Sequence, residues 1–195
     1  NIPGMFSVYN ALAAIGVCTL MGVPYEAIRK GLESVNVPGR FEIVSSGTDF
    51  TVIVDYAHTA DSLENILNAV KDFARGRIIC VFGCGGNKDR NRRFGMGEVS
   101  GRMADLTVIT SDNPRSEDPL AIINDIETGI KKTRGEYIKI VDRREAIKYA
   151  IENAKAGDVV IIAGKGHETY QIFKDKTIHF DDREVAKEIL REICT

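Results

Sequence analysis

From residue 41 onward the rhythm of apolar positions switches repeatedly between two periods. Residues 41–46 and 50–55 alternate apolar and polar side chains, as half-buried strands do, and Gly47-Thr48-Asp49 between them reads as a hairpin turn. Residues 63–74 place Leu63, Ile66, Leu67, Val70 and Phe73 on one helical face. Apolar strand-like runs follow at 77–82, 106–110, 137–141 and 158–163, and helical patterns fill the intervals at 96–104, 120–131 and 143–153. Asp118-Pro119 supplies an N-cap and a first-turn proline for the helix at 120–131. A late hairpin is expected at 170–173 and 176–180, then a last helix at 183–193. Before residue 41 the period is helical. Residues 7–21 and 24–32 form two helices split by Gly22-Val23-Pro24, and Val37-Pro38-Gly39-Arg40 is a turn or linker.

Strands alternating with helices, several of them apolar on both faces, predict an α/β fold with a mainly parallel sheet covered on both sides. With right-handed crossovers this is Rossmann-like in the broad sense. Ligands of such sheets bind beyond the strands' carboxyl ends, so the polar loops there are the candidate site.

Four loops qualify. Asp55-Tyr56-Ala57-His58-Thr59 follows the second strand, and the stretch from Gly83 to Arg93 the third. Asp112-Asn113-Pro114-Arg115 and Gly164-Lys165-Gly166-His167-Glu168 follow later ones. Arg115 offers a planar fork of donors that fits a carboxylate or phosphate, although Asp-Asn-Pro is also an ordinary turn. The 83–93 loop has three glycines and four cations, which suits an anion, yet it is neither a P-loop nor a dinucleotide fingerprint. Its alternative is a solvated basic loop. Asp55 reads as a ribose acceptor or as the N-cap of the next helix, and His58 as a nucleotide contact or a structurally satisfied histidine. Glu168 could hold a substrate ammonium, while Lys165 and His167 could be plain surface residues. Facing carboxylates and cations suit a zwitterion such as an amino acid beside a phosphate-bearing ligand. No nucleophile pattern is present, so no catalytic residue is assigned.

Composition narrows the field. Of the 195 residues, 44% are hydrophobic and 28% charged, as in soluble globular proteins, and the net charge of −2 gives no global field for nucleic acid. No apolar run approaches the roughly 20 residues that span a bilayer. The start, Asn1-Ile2-Pro3-Gly4-Met5-Phe6, has no initiating Met and no signal-peptide core, so the chain reads as cut from something longer. Cys18, Cys80, Cys84 and Cys194 lack C-x-x-C spacing and read as buried thiols in a reducing cytoplasm. His58, His167 and His179 are too dispersed to suggest a metal site.

The motifs Val37-Pro38-Gly39-Arg40-Phe41-Glu42, Val54-Asp55-Tyr56-Ala57-His58-Thr59, Gly83-Cys84-Gly85-Gly86, Asp112-Asn113-Pro114-Arg115 and Gly164-Lys165-Gly166-His167-Glu168-Thr169-Tyr170-Gln171 run in this order over nearly the whole chain. Together they resemble the Mur ligases of peptidoglycan synthesis, and within them the diaminopimelate-adding members. The resemblance implies that residues 1–38 are the last helices of a central ATPase domain and 39–195 the C-terminal, Rossmann-like domain that brings the amino acid. It implies a cytoplasmic ligase using ATP and Mg2+, with UDP-N-acetylmuramoyl-dipeptide as acceptor. Phosphoryl transfer to the D-glutamyl carboxylate gives an acyl phosphate, which the amine of meso-2,6-diaminopimelate attacks. The P-loop, the magnesium ligands and a carbamylated lysine would lie before Asn1. By motif, Arg40, Asp55 and His58 fall to the nucleotide. Lys88, Asp112, Asn113, Pro114, Arg115, Gly164 and Glu168 fall to the amino acid. The lysine-adding relatives lack the arginine at position 115, which points to diaminopimelate. Lys88 stands where the family usually has Arg, Ala60 where it has Pro, and Arg92-Arg93-Phe94 where it has Lys-Arg-Pro. A lysine-adding ligase and a non-catalytic nucleotide- or amino-acid-binding module are the alternatives.

Overall fold

The computed structural model describes residues 4–44 and 47–193. A six-stranded sheet runs in the order β1 (Glu42–Ile43), β2 (Thr51–Asp55), β6 (Val159–Ala163), β3 (Ile78–Phe82), β4 (Leu106–Ile109) and β5 (Tyr137–Lys139). All neighbouring pairs are parallel except β1 with β2, where Glu42 faces Val54 and Ile43 faces Ile53. Strand β6 therefore enters between β2 and β3, which are consecutive in sequence.

Period-two alternation sends the central strands' side chains to two separate cores. Ile53, Ile78, Cys80, Phe82, Ile109, Val159 and Ile161 face α3 (Ala60–Lys71), α4 (Asn91–Met103) and α5 (Pro119–Ile130). Val52, Val54, Ile79, Val81, Val108, Val160 and Ile162 face α6 (Arg143–Glu152) and α7 (Asp182–Ile193). This is the expected mainly parallel sheet with helices on both faces. Burial pushes the thiols of Cys80 and Cys84 up to about 12, so both are neutral and inert. Cys194 lies outside the described residues.

Several boundaries differ from expectation. The strand expected at 41–46 is only the two-residue β1, and residues 45 and 46 lie outside the described residues. Helix α3 starts at Ala60 because Thr59 and Ser62 form a reciprocal capping box. Helix α4 starts at Asn91 rather than 96, so Asn91, Arg92 and Arg93 are its first turn and not loop. The Asp89 carboxylate accepts the Asn91 amide there. The helices expected at the start are present as α1 (Met5–Leu20) and α2 (Tyr25–Ser34). Tyr9, Leu12, Leu20 and Tyr25 on and beside them are exposed. The expected late hairpin is β7 (Tyr170–Ile172) with β8 (Thr177–His179), separate from the main sheet.

The amino-terminal edge of the sheet is tied by charge. Asp158, just before β6, accepts from the Arg77 main-chain nitrogen at 2.7 Å, from Arg77 Nη2 at 2.7 Å and from the Lys155 amide at 2.9 Å. Burial alone would raise this carboxyl, but the bonds from Arg77 and Lys155 outweigh it and hold it below its ordinary value. A depressed carboxylate contributes stability above its unfolded value of about 3.9, and that contribution is lost as pH falls. Urea titrations at pH 7 and pH 3 are expected to differ less for Asp158→Asn than for the wild type. An unchanged difference would show that Asp158 adds nothing to acid sensitivity.

Candidate functional site

Because β2, β3, β4 and β6 are parallel, the loops after them share one edge of the sheet. The main chains of these loops touch. Gly164 donates to the Asp55 carbonyl at 3.1 Å, and Gly86 to the Asn113 carbonyl at 2.9 Å. A Cβ on Gly86 would collide with the Pro114 carbonyl, so the glycine is what lets loop 83–86 lie against loop 112–115.

Loop 112–115 is locked from below and from the side. The Asp112 carboxylate accepts the Asn113 amide at 2.6 Å, and Gln171 Nε2 donates to the Asp112 carbonyl at 2.8 Å. Asn113 Oδ1 accepts from the Ile172 amide at 3.0 Å, while its Nδ2 donates to Glu168 Oε2 at 2.8 Å. Arg115 donates its own amide to the Ile172 carbonyl at 3.0 Å. The small β7–β8 sheet is thus the buttress of this loop. Arg115 has a left-handed backbone, φ 54°, and half-buries its side chain. Its Nη1 donates to the Gly86 carbonyl at 2.9 Å. Among the described residues, Nε and Nη2 of Arg115 have no protein partner, and neither has Glu168 Oε1. A guanidinium edge and a carboxylate oxygen on touching loops are therefore open to a ligand. Pro114 is buried, and Lys88 is exposed on the neighbouring glycine loop.

A second cluster lies on the other side of loop 164–168. The Arg40 guanidinium sits 4.7 Å from the centre of the Tyr56 ring. Tyr56 in turn meets the rings of His58, at 4.6 Å, and His167, at 5.4 Å. The Asp55 carboxylate accepts the amides of Phe41 and Ala57, each at 2.7 Å. It thereby holds Phe41 at φ 46°, an unusual backbone for a bulky residue, and it caps no helix, since Thr59 does that. Gly39, also with positive φ, packs so closely that a Cβ would strike the His167 amide nitrogen. Loop 164–168 thus joins the two clusters: Gly166 and His167 face Gly39 and Tyr56, while Gly164, Lys165 and Glu168 face Asp112 and Asn113.

Burial pushes the Asp112 carboxyl above its ordinary value, against the pull of Arg143 and Lys165. Burial does the same to Asp55, against the amides of Phe41 and Ala57 and the charge of Arg40. Lys165, for which a plain surface role was one reading, is 0% exposed. The basic loop is also not simply solvated. Arg93 is buried, bonded to Glu117 at 2.8 Å and to Asp125 at 3.0 Å, and Arg90 pairs with Asp125 at 2.6 Å. Half of the loop's cations therefore fasten α4 to α5 rather than await an anion. Sequence reasoning missed the aromatic cluster around Tyr56 and the support from Arg143. A cue for Lys165 exists in the chain: it is flanked by glycines directly after an apolar run.

Among the described residues no group of three or more His, Cys, Asp or Glu side chains could hold a metal ion, and no helix is long and apolar enough to cross a membrane.

Comparison with known proteins gives a consistent result. The family described as Mur ligase, glutamate ligase domain, matches residues 39–166. The UDP-N-acetylmuramoyl-L-alanyl-D-glutamate–2,6-diaminopimelate ligase of Caldanaerobacter subterraneus subsp. tengcongensis is 58% identical over 192 residues, which are 98% of this chain and 40% of that protein. The enzyme of the same name from Clostridium botulinum is 54% identical over 196 residues, again 40% of its length. This chain therefore spans about 40% of the curated relatives it matches. A solved ligase of that name superposes on the whole chain with a TM-score of 0.78 at 36% identity, over 40% of its own chain. A pseudomurein peptide ligase type C from Methanothermus fervidus shares the fold, with a TM-score of 0.69 at 21% identity.

Proposed function

Since the chain belongs to the Mur ligase family through its glutamate ligase domain, we propose that it is the amino-acid-binding part of an ATP-dependent ligase. That ligase joins meso-2,6-diaminopimelate to UDP-N-acetylmuramoyl-L-alanyl-D-glutamate. The names of the relatives support this reading, and one observation carries it. The open edge of Arg115 and the open oxygen of Glu168 stand on loops that touch each other. Such a pair complements a ligand carrying both a carboxylate and an ammonium. Meso-diaminopimelate is lysine with a second carboxylate at its far end, and Arg115 is the residue to read it. Asn113 orients Glu168, Asp112 and Pro114 fix the loop backbone, and Gly164 leaves space beside Asp112. Lys88 is exposed beside the same loops, where it can attract the ligand's carboxylates.

Arg40, Tyr56, His58 and His167 fit a nucleotide: a flat aromatic surface and a cation beside it suit a purine base and its anionic tail. When bound, ATP supplies the phosphoryl group that activates the acceptor carboxylate. Asp55, assigned to the ribose by motif, serves this site by shaping the Phe41 and Ala57 backbone. Residues 1–38, which contain helices α1 and α2, belong on this reading to the central domain, which fits the exposed apolar side chains of those helices. Closure of the domains brings nucleotide and amino acid together.

Calorimetric titration of the chain with meso-diaminopimelate and with L-lysine tests the reading. Binding of diaminopimelate in preference to lysine is expected. Equal binding of both removes Arg115 as the selector and favours a ligase for another diamino acid.

A further inference from the structure

We propose that Lys165 is a positioning residue that presents one chosen oxygen of Glu168 to the ammonium of the incoming amino acid. The inference rests on the reading of the amino-acid site above.

The lysine follows β6 after a single residue and is held between two glycines with positive φ, 114° at Gly164 and 55° at Gly166. That backbone turns its side chain inward, and the ammonium ends among three oxygens. Asn113 Oδ1 lies at 3.3 Å, Glu168 Oε2 at 3.2 Å, and the Tyr170 carbonyl completes the set. An ammonium has three protons, so each has an acceptor. Lys165 therefore has no donor left for a ligand carboxylate, and it acts through its neighbours.

The consequence falls on Glu168. Its Oε2 is gripped from two sides, by Lys165 and by Asn113 Nδ2, whereas Oε1 has no protein partner among the described residues. A half-buried carboxylate fixed at one oxygen offers the other without reorganising, and preorganisation of this kind is what separates a recognising carboxylate from a mobile one. The same grip joins three segments: loop 164–168, Asn113 of the arginine-bearing loop, and Tyr170 at the start of β7. Lys165 thus sets the reader of the ammonium relative to Arg115, the reader of the carboxylate.

The test is a double-mutant cycle in the complete ligase. Lys165→Met is expected to raise KM for diaminopimelate roughly 10- to 100-fold, as misplacement of a recognising group does. It should leave kcat and the KM for ATP within about threefold. In a Glu168→Gln background the same change should move KM for diaminopimelate by less than about twofold, because residues that act through one another are not additive. A Lys165→Gln variant keeps one donor group without the charge; it should fall between wild type and Lys165→Met, and it replaces the latter if that variant does not fold. The same factor in both backgrounds, or a parallel rise in KM for ATP, overturns the proposal, since a general loss of structure acts that way. A wild-type ligase that uses a different amino acid instead overturns the substrate assignment, and the identical cycle run with that amino acid then decides for Lys165.

Discussion

Replacing Arg143 with methionine is expected to lower the free energy of unfolding by about 3–5 kcal/mol, the usual cost of breaking a buried ion pair from one side. Arg143 and Asp182 are both 0% exposed in their side chains. The guanidinium meets the two carboxylate oxygens at 2.8 Å each, and also donates to the Ser111 carbonyl at 3.2 Å and to the Ala163 carbonyl at 3.0 Å. Burial works against its charge, but Asp182 keeps it firmly protonated. Truncation to an apolar side chain would strand a carboxylate and two carbonyls in a dry interior. Ser111 and Ala163 directly precede loops 112–115 and 164–168, so the loss would loosen the proposed amino-acid site as well as the fold. Chemical denaturation followed by circular dichroism measures the effect. The pair Arg143→Met with Asp182→Leu should recover most of the stability, because well-packed apolar residues often replace a buried ion pair without cost. A loss of under about 1 kcal/mol in the single variant would show that water reaches the pair and screens it.

Arg115→Ala is expected to weaken binding of meso-diaminopimelate roughly 30- to 150-fold while hardly changing that of L-lysine. The size follows from losing about 2–3 kcal/mol of charge-assisted hydrogen bonding to one carboxylate. Lysine has no carboxylate at that end, so in the wild type it leaves the guanidinium edge desolvated and unpaired. Arg115→Lys should retain part of the affinity, because it keeps the charge and loses the planar fork. Calorimetry on the three proteins with both ligands separates the outcomes. If Arg115→Ala weakens both ligands equally, the residue supports the loop through its bond to the Gly86 carbonyl and does not select the substrate.

The α/β architecture was legible in the chain because hydrophobic period is a local property. The runs Val159–Ala163 and Ile78–Phe82 lack polar positions, which is what burial on both faces requires, and both are central strands. A helix start was legible at α5, where Asp118-Pro119 caps locally, whereas the equally local Thr59–Ser62 capping box of α3 was passed over. The start of α4 was missed, where basic residues without a capping hydrogen bond open the helix and draw their partners from α5. The polar loops of the site could be found in order, because each follows a strand.

What the sequence by itself determined is therefore the layered fold and the set of loops at its carboxyl edge. Only the tertiary structure decided which polar groups in those loops are open and which are consumed. Arg143 is buried because every oxygen it meets comes from a segment distant in sequence, and Lys165, readable in the chain as a surface residue, is fully buried with one of its oxygens on Asn113, 52 residues away. Asn113, a ligand contact by motif, has its side-chain oxygen bonded by the Ile172 amide and one of its two N–H groups bonded to Glu168. Many of the hydrogen-bond partners assemble across the sheet edge, beyond the reach of a local pattern, and the same arrangement leaves one edge of Arg115 and one oxygen of Glu168 without a protein partner among the described residues.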